Sequence, residues 1–162
     1  MRRSATILAF LLAVAIAPTT ARAQVPVQPN PDHEAMLASR DPALAENKKL
    51  VYDFWREVLE AGHLDLAEKY MTASYVQHNP NVPTGRAGFV AFFSKLGKPK
   101  PIEARVKAPL VAITAEGDRV VLAFARKERE PADSTKSYTT TWFDMFRVEG
   151  GKIAEHWDCD TK

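Results

Sequence analysis

Asp144-Met145-Phe146-Arg147-Val148-Glu149-Gly150-Gly151-Lys152-Ile153-Ala154-Glu155-His156-Trp157-Asp158 reads as two strands around a two-residue turn. Alternating residues flank a glycine pair, and glycine readily reaches the positive φ that a tight hairpin turn demands. With Gly150-Gly151 as the loop, Glu149 pairs with Lys152, Met145 with His156, and Phe143 with Asp158. One face then holds Phe143, Met145, Ala154, His156 and Asp158. The other holds Trp142, Asp144, Phe146, Val148, Ile153, Glu155, Trp157 and Cys159. Both faces need cover, and the helices of so small a domain cover only one. The second face, with Trp142, Phe146 and Trp157, is the surface expected to form a homodimer through the sheet.

Upstream of the hairpin the period stays at two. Ile102, Ala104 and Val106 alternate with charged residues, and Leu110 to Ala115 and Val120 to Ala125 flank Gly117-Asp118. Strands are therefore expected at 102–107, 110–115, 120–125, 138–148 and 152–159, all antiparallel. Before Ile102 the period is helical. Asp41-Pro42 forms an N-cap with proline in the first turn, and Leu50, Val51, Phe54, Trp55, Val58 and Leu59 follow at helical spacing up to Gly62. Leu66, Ala67, Tyr70 and Met71 suggest a second, short helix. Phe89, Val90, Phe92, Phe93 and Leu96 form a third, capped by Thr84 and stopped by Gly97 and Pro99. Residues 75 to 83 read as irregular because of Asn79, Pro80, Asn81 and Pro83. Three helices followed by four or five antiparallel strands make an α+β domain, with helices on one face of a curved sheet and a cavity at its open end.

Residues 1–23 carry Arg2, Arg3, the apolar run Ile7 to Ala17 and the small-x-small site Ala21-Arg22-Ala23, the pattern of a cleaved secretory signal. The run is about half the roughly 20 residues that span a bilayer. A secreted or periplasmic product beginning at Gln24 is expected, with no membrane attachment after cleavage. Residues 24–40, with Pro26, Pro29 and Pro31, read as an extended tether, and 41–162 as one domain. The net charge of +2 includes Arg2, Arg3 and Arg22 and no acid from the signal, so the mature chain carries −1. That removes the electrostatic case for a nucleic-acid partner. Cys159 is the only cysteine, which excludes an intramolecular disulfide and suggests a small buried side chain on a strand.

His156 and Asp158, two apart on a strand, point the same way. Read from the residues alone, they fit a solvated chain end with His156 as an ordinary strand residue better than an acid/base carboxylate beside a hydrogen-bonding imidazole in an apolar pocket. Gln77 and His78 are polar groups in the segment between the second and third helices that turn chemistry alone explains poorly, whereas Asn79 and Pro80 suit a turn. His156, Asp158 and Cys159 are metal-ligand types, but strand neighbours alternate faces, so Cys159 cannot join the other two and no metal is expected. No glycine-rich phosphate loop occurs, and no cofactor is expected.

Two motifs, Tyr75-Val76-Gln77-His78-Asn79-Pro80 with Gly85 downstream, and the hairpin ending Glu155-His156-Trp157-Asp158, resemble the SnoaL-like polyketide cyclase branch of the nuclear transport factor 2-like superfamily. The resemblance runs from about Asn47 to Asp158. It implies a cone-shaped, cystatin-like roll in which three N-terminal helices and a curved antiparallel sheet enclose a pocket. It also implies that Asp158 is the general acid/base, with His156 and His78 as its catalytic partners. Tyr75, Gln77 and Asn79 would bind substrate, and Trp142 and Phe143 would lie on a pocket-lining strand. Asp144 joins them only if a β-bulge turns it inward. The expected partner is a small apolar or carbonyl-containing molecule, in a cofactor-independent aldol-type cyclisation or isomerisation. A non-catalytic ligand-binding or dimerisation module on the same fold is the alternative.

Overall fold

The computed structural model describes residues 24–162, so the expected signal peptide lies outside the described residues. A short helix, α1 (His33–Leu37), starts behind Asp32, whose carboxylate accepts the Ala35 N–H. The expected tether is thus not a free strap: Met36 is buried, the Asn30 N–H donates to the Leu110 carbonyl, and the Gln24 amide bonds Thr139. Helix α2 (Pro42–Phe54) begins as its sequence dictates, with Asp41 accepting the Ala43 N–H at 2.9 Å and proline in the first turn. It continues as a π-helical turn, Trp55–Glu60, and closes at Gly62, whose φ of 75° is a left-handed stop. One 3₁₀ turn (Leu64–Leu66) leads into α3 (Ala67–Tyr70), and α4 (Arg86–Phe93) follows after a strand. Gly85, at φ 88°, occupies the cap position of α4. Thr84 does not cap it, because its hydroxyl is engaged with the Gln77 backbone.

The strands are β1 (Met71–Gln77), β2 (Leu110–Glu116), β3 (Arg119–Glu130), β4 (Asp133–Glu149) and β5 (Lys152–Asp158), ordered β1-β5-β4-β3-β2 in one curved, unclosed sheet. Neighbours pair antiparallel except β1 with β5, which pair in parallel. Two expectations are corrected here. Residues 102–107 form no strand, because the Val106 N–H goes to the Tyr52 hydroxyl and the Lys107 N–H to Glu60, outside any ladder. Residues 75–77, read as irregular, are strand: turn-forming residues begin only at Asn79, and the ladder to β5 continues up to Gln77.

The third correction is register. Glu149 pairs with Lys152 and Val148 with Ile153, but then Ala154 is left over and Arg147 pairs with Glu155. Beyond this bulge Phe146 faces His156, Met145 faces Trp157 and Asp144 faces Asp158, one residue from the regular register. The physical cause is burial on both sides of the slip: Ile153 and His156, three apart, both turn inward, which an unbulged strand forbids. Phe146 moves into the core and Phe143 and Met145 move to the outer face. The core lies between the inner face and the helices, where the Phe54 ring meets Tyr70, Phe89 and Phe146 at centroid distances of 6.1, 5.9 and 6.0 Å. Cys159, expected to be buried, is exposed. Among the described residues no helix is long and apolar enough to cross a membrane.

Candidate active site

The bulge brings Asp144, Phe146, His156 and Asp158 onto one inward surface, and the β1–β5 pairing sets Tyr75 and Gln77 beside them. Asn79, just past the end of β1, reaches over this surface. These side chains form one end of a cavity of about 250 Å³. The other walls are apolar: Phe54, Trp55 and Leu59 from α2 and its π-helical turn, and Phe89 and Phe93 from α4. A larger, shallower groove of about 650 Å³ runs along Arg56, Glu60 and Lys107. Two of its charged groups serve the structure, with Arg56 holding the Glu103 carbonyl and Glu60 accepting the Lys107 and Ala108 N–H groups, and it gathers none of the polar residues of the two motifs. The smaller cavity is therefore the candidate site.

Its polar groups form one chain of hydrogen bonds. The Asn79 N–H donates to Gln77 Oε1 at 3.0 Å, which fixes the Gln77 amide so that Nε2 donates to the Tyr75 hydroxyl at 2.9 Å. Gln77 Oε1 also faces His156 Nδ1 at 3.0 Å, so Nδ1 carries a hydrogen. Nε2 of the same ring lies 2.9 Å from Asp144 Oδ1, and with Nδ1 already a donor this contact must share one further proton, on the imidazole or on the acid. Burial pushes Asp144 above the ordinary carboxylate range and the Asp158 charge adds to it, against the opposing pull of His156. Asp144 Oδ2 is buried without a partner. Asp158 Oδ2 accepts from Asn79 Nδ2 at 2.8 Å and Oδ1 from the Asp160 N–H at 2.9 Å, with the side chain only 6% exposed. Burial and the two neighbouring carboxylates, Asp158 and Asp144, push the Tyr75 phenol far up, so it keeps its hydrogen.

Of the residues singled out from sequence, Tyr75, Gln77, Asn79, Asp144, His156 and Asp158 converge, and Asp144 joins them because of the bulge. His78 does not. It follows Gln77, so it turns to the outer face, where its ring stacks on Trp157 at 4.8 Å and Nε2 meets Glu155 at 2.8 Å. Phe143 is 47% exposed on that same face, an outcome of the register shift. Trp142 stays partly buried against the core beyond the cavity, with the Arg126 guanidinium over its ring at 4.6 Å. The aromatic walls were visible in sequence as helical stripes, but periodicity does not tell a core stripe from a pocket wall. Asp144, His156 and Asp158 also offer ligand atoms within 4.8 Å of one another and are the residues that could hold a cation, while Cys159 lies outside this group.

The SnoaL-like domain family matches residues 51–156 of this chain. Among solved structures, the fold is similar to that of a candidate polyketide cyclase from Acidithiobacillus ferrooxidans, at 21% identity and TM-score 0.51, covering 75% of this chain and 90% of that one. It is similar also to a candidate SnoaL-like polyketide cyclase from Jannaschia sp. CCS1, at 17% identity and TM-score 0.51, with 75% and 90% covered. An LEH-like epoxide hydrolase from M. tuberculosis matches at 16% identity and TM-score 0.50, with 72% and 84% covered. No curated protein matches the sequence.

Proposed function

The chain belongs to the SnoaL-like domain family, and from that premise we propose that it is an exported small-molecule enzyme that moves a proton beside a carbonyl, in an aldol-type cyclisation or isomerisation. The observation that carries this reading is Asp158, a nearly buried carboxylate held by Asn79 and the Asp160 N–H at the polar end of an otherwise apolar cavity. Two hydrogen bonds fix its orientation and leave lone pairs for a substrate proton. In the proposed step Asp158 takes a proton from the carbon next to the carbonyl, and the Tyr75 hydroxyl stabilises the charge that develops on the oxygen. His156 and Gln77 hold the arrangement in register. Export rests on the signal pattern in residues 1–23.

The competing reading is a non-catalytic binder, and it draws on the same two hydrogen bonds, which could simply satisfy a structural carboxylate. Deuterium uptake at the carbon next to the carbonyl of 1-indanone, followed by NMR in heavy water, separates the two. The native protein is expected to accelerate exchange, and Asp158→Asn to lose about 10²- to 10⁴-fold of that acceleration with an unchanged melting temperature. Equal exchange by the variant and the native protein overturns the assignment.

A further inference from the structure

Beyond β5 the backbone has no regular structure, yet it is tied down at Asp160 and Thr161. The Asp160 carboxylate accepts from Asn81 Nδ2 at 3.0 Å, and the Thr161 carbonyl accepts from the same amide at 3.0 Å. An exposed polar segment of this kind stays loose unless it is bonded in place. The Asn81 bond holds Asp160 below the ordinary carboxylate range, so its oxygens are ionised acceptors near neutrality.

These bonds lead into the cavity. The Asn81 N–H donates to Asn79 Oδ1 at 2.8 Å, which fixes the Asn79 amide with its nitrogen towards the acids. Asn79 Nδ2 then donates to Asp158 Oδ2 at 2.8 Å and lies a longer 3.4 Å from Asp160 Oδ2. One amide thus faces two carboxylates, Asp158 in the cavity wall and Asp160 outside it. Asp160 acts on Asp158 from two sides. Its backbone N–H donates to Asp158 Oδ1 at 2.9 Å, and its carboxylate, through Asn81 and Asn79, steadies the donor on Oδ2. Neither Asp160 nor Asn81 lines the cavity.

Resting on the acid/base reading of Asp158, we infer that Asp160 is a positioning residue for it. With Asn81 it clamps the loop after β1, so that the Asn79 amide holds the Asp158 carboxylate in the orientation that meets the substrate proton. Without the clamp Asp158 keeps the backbone N–H and loses the fixed donor on its other oxygen. The loss falls on turnover and not on affinity, because the clamp touches the reacting group and no wall of the cavity.

Deuterium uptake by 1-indanone in heavy water, followed by NMR over a range of ketone concentrations, tests it. Asp160→Ala is expected to lower kcat about tenfold, the worth of one hydrogen bond, at unchanged KM and melting temperature. Asp160→Asn keeps an acceptor for Asn81 and should recover most of that loss. Asn81→Ala should lose as much as Asp160→Ala, and the double variant no more than either, since both act through one contact. A residue that only supports the fold gives neither the kcat-only loss nor the rescue by asparagine. If Asp160→Ala fails to fold, Asn81→Ala carries the same comparison. Native kcat in both alanine variants, additive losses in the double variant, or equal losses in Asp160→Asn and Asp160→Ala overturn the inference. Asp158→Asn keeps this apart from the acid/base reading. If Asp158→Asn is inactive while the alanine variants keep native kcat, the clamp alone is lost. If Asp158→Asn exchanges as fast as the native protein, the acid/base reading fails, and the NMR signals of the Asn79 side-chain amide then judge the clamp. Asp160→Ala should move those signals and Asp160→Asn restore them; unmoved signals overturn the clamp as well.

Discussion

Burial lifts Asp144 above its ordinary value of 3.8, with Asp158 adding to the effect, so the folded chain binds a proton there that the unfolded chain has already released. Its ionisation costs stability progressively as pH rises from that ordinary value through the raised one. The native protein is therefore expected to lose stability relative to Asp144→Asn over this window, and urea melts between pH 4 and 7 measure it; parallel curves would contradict the assignment. Glu57 behaves in the opposite sense. Burial works to raise it, but hydrogen bonds from Tyr70 and Lys69 and the charges of Lys69 and Arg56 outweigh burial and hold it below the ordinary 4.5. Its stabilisation is present above 4.5 and lost as pH falls through the lowered value. Glu57→Gln should cost about 2 kcal/mol near neutrality and lessen the acid sensitivity, since it removes charge-assisted hydrogen bonds to a nearly buried carboxylate. Acid and urea titrations of both proteins check this, and equal acid midpoints would refute it.

The hairpin between β4 and β5 shows what can be read at the level of elements. Gly150 and Gly151 sit at φ 57° and 71°, as the turn required, with open space around each. An added Cβ at Gly150 meets nothing within 4 Å, so the cost of Gly150→Ala is conformational, about 1–2 kcal/mol, measurable as a lower melting temperature; an unshifted melt would count against the turn geometry. The α+β order, α2 with its Asp41 cap, the short α3, and four of the strands were legible in the same way, because caps, glycines and periods are local signals. The bulge at Ala154 was not legible. Nothing in Ile153-Ala154-Glu155 marks an extra residue, since a bulge is chosen by whether Ile153 and His156 can both be buried, and that depends on contacts far along the chain. One residue of slip was enough to send Phe143 outward and Asp144 inward. Six residues named from the sequence, chiefly through the two motifs, nonetheless line one cavity, Asp144 among them only because of the bulge. His78 was misplaced because, as the neighbour of Gln77, it inherits the opposite face.

At the scale of the molecule, the outer face of the sheet carries the row Val121, Met145 and Trp157, paired across strands, with Phe143 exposed beside it. The proposed homodimer would bury this row in place of the Trp142 and Phe146 surface expected from the unbulged register. Light scattering should give twice the chain mass for the native protein and the single-chain mass for Phe143→Lys, with unchanged circular dichroism; a native monomer would end the proposal. The parallel β1–β5 seam has a consequence of a different kind. His156 meets Gln77, and Asp158 meets Asn79, across 79 positions of sequence. Pairing so far along the chain carries a loop-closure cost that local hairpins do not, so the polar end of the cavity, the proposed reactive centre, is expected to assemble after them. A polypeptide that has built only its helices and the β2–β3–β4 meander still lacks this cluster of side chains. If the proposed export takes place on an unfolded chain, the proposed acid/base is not yet assembled in the compartment where the chain is made.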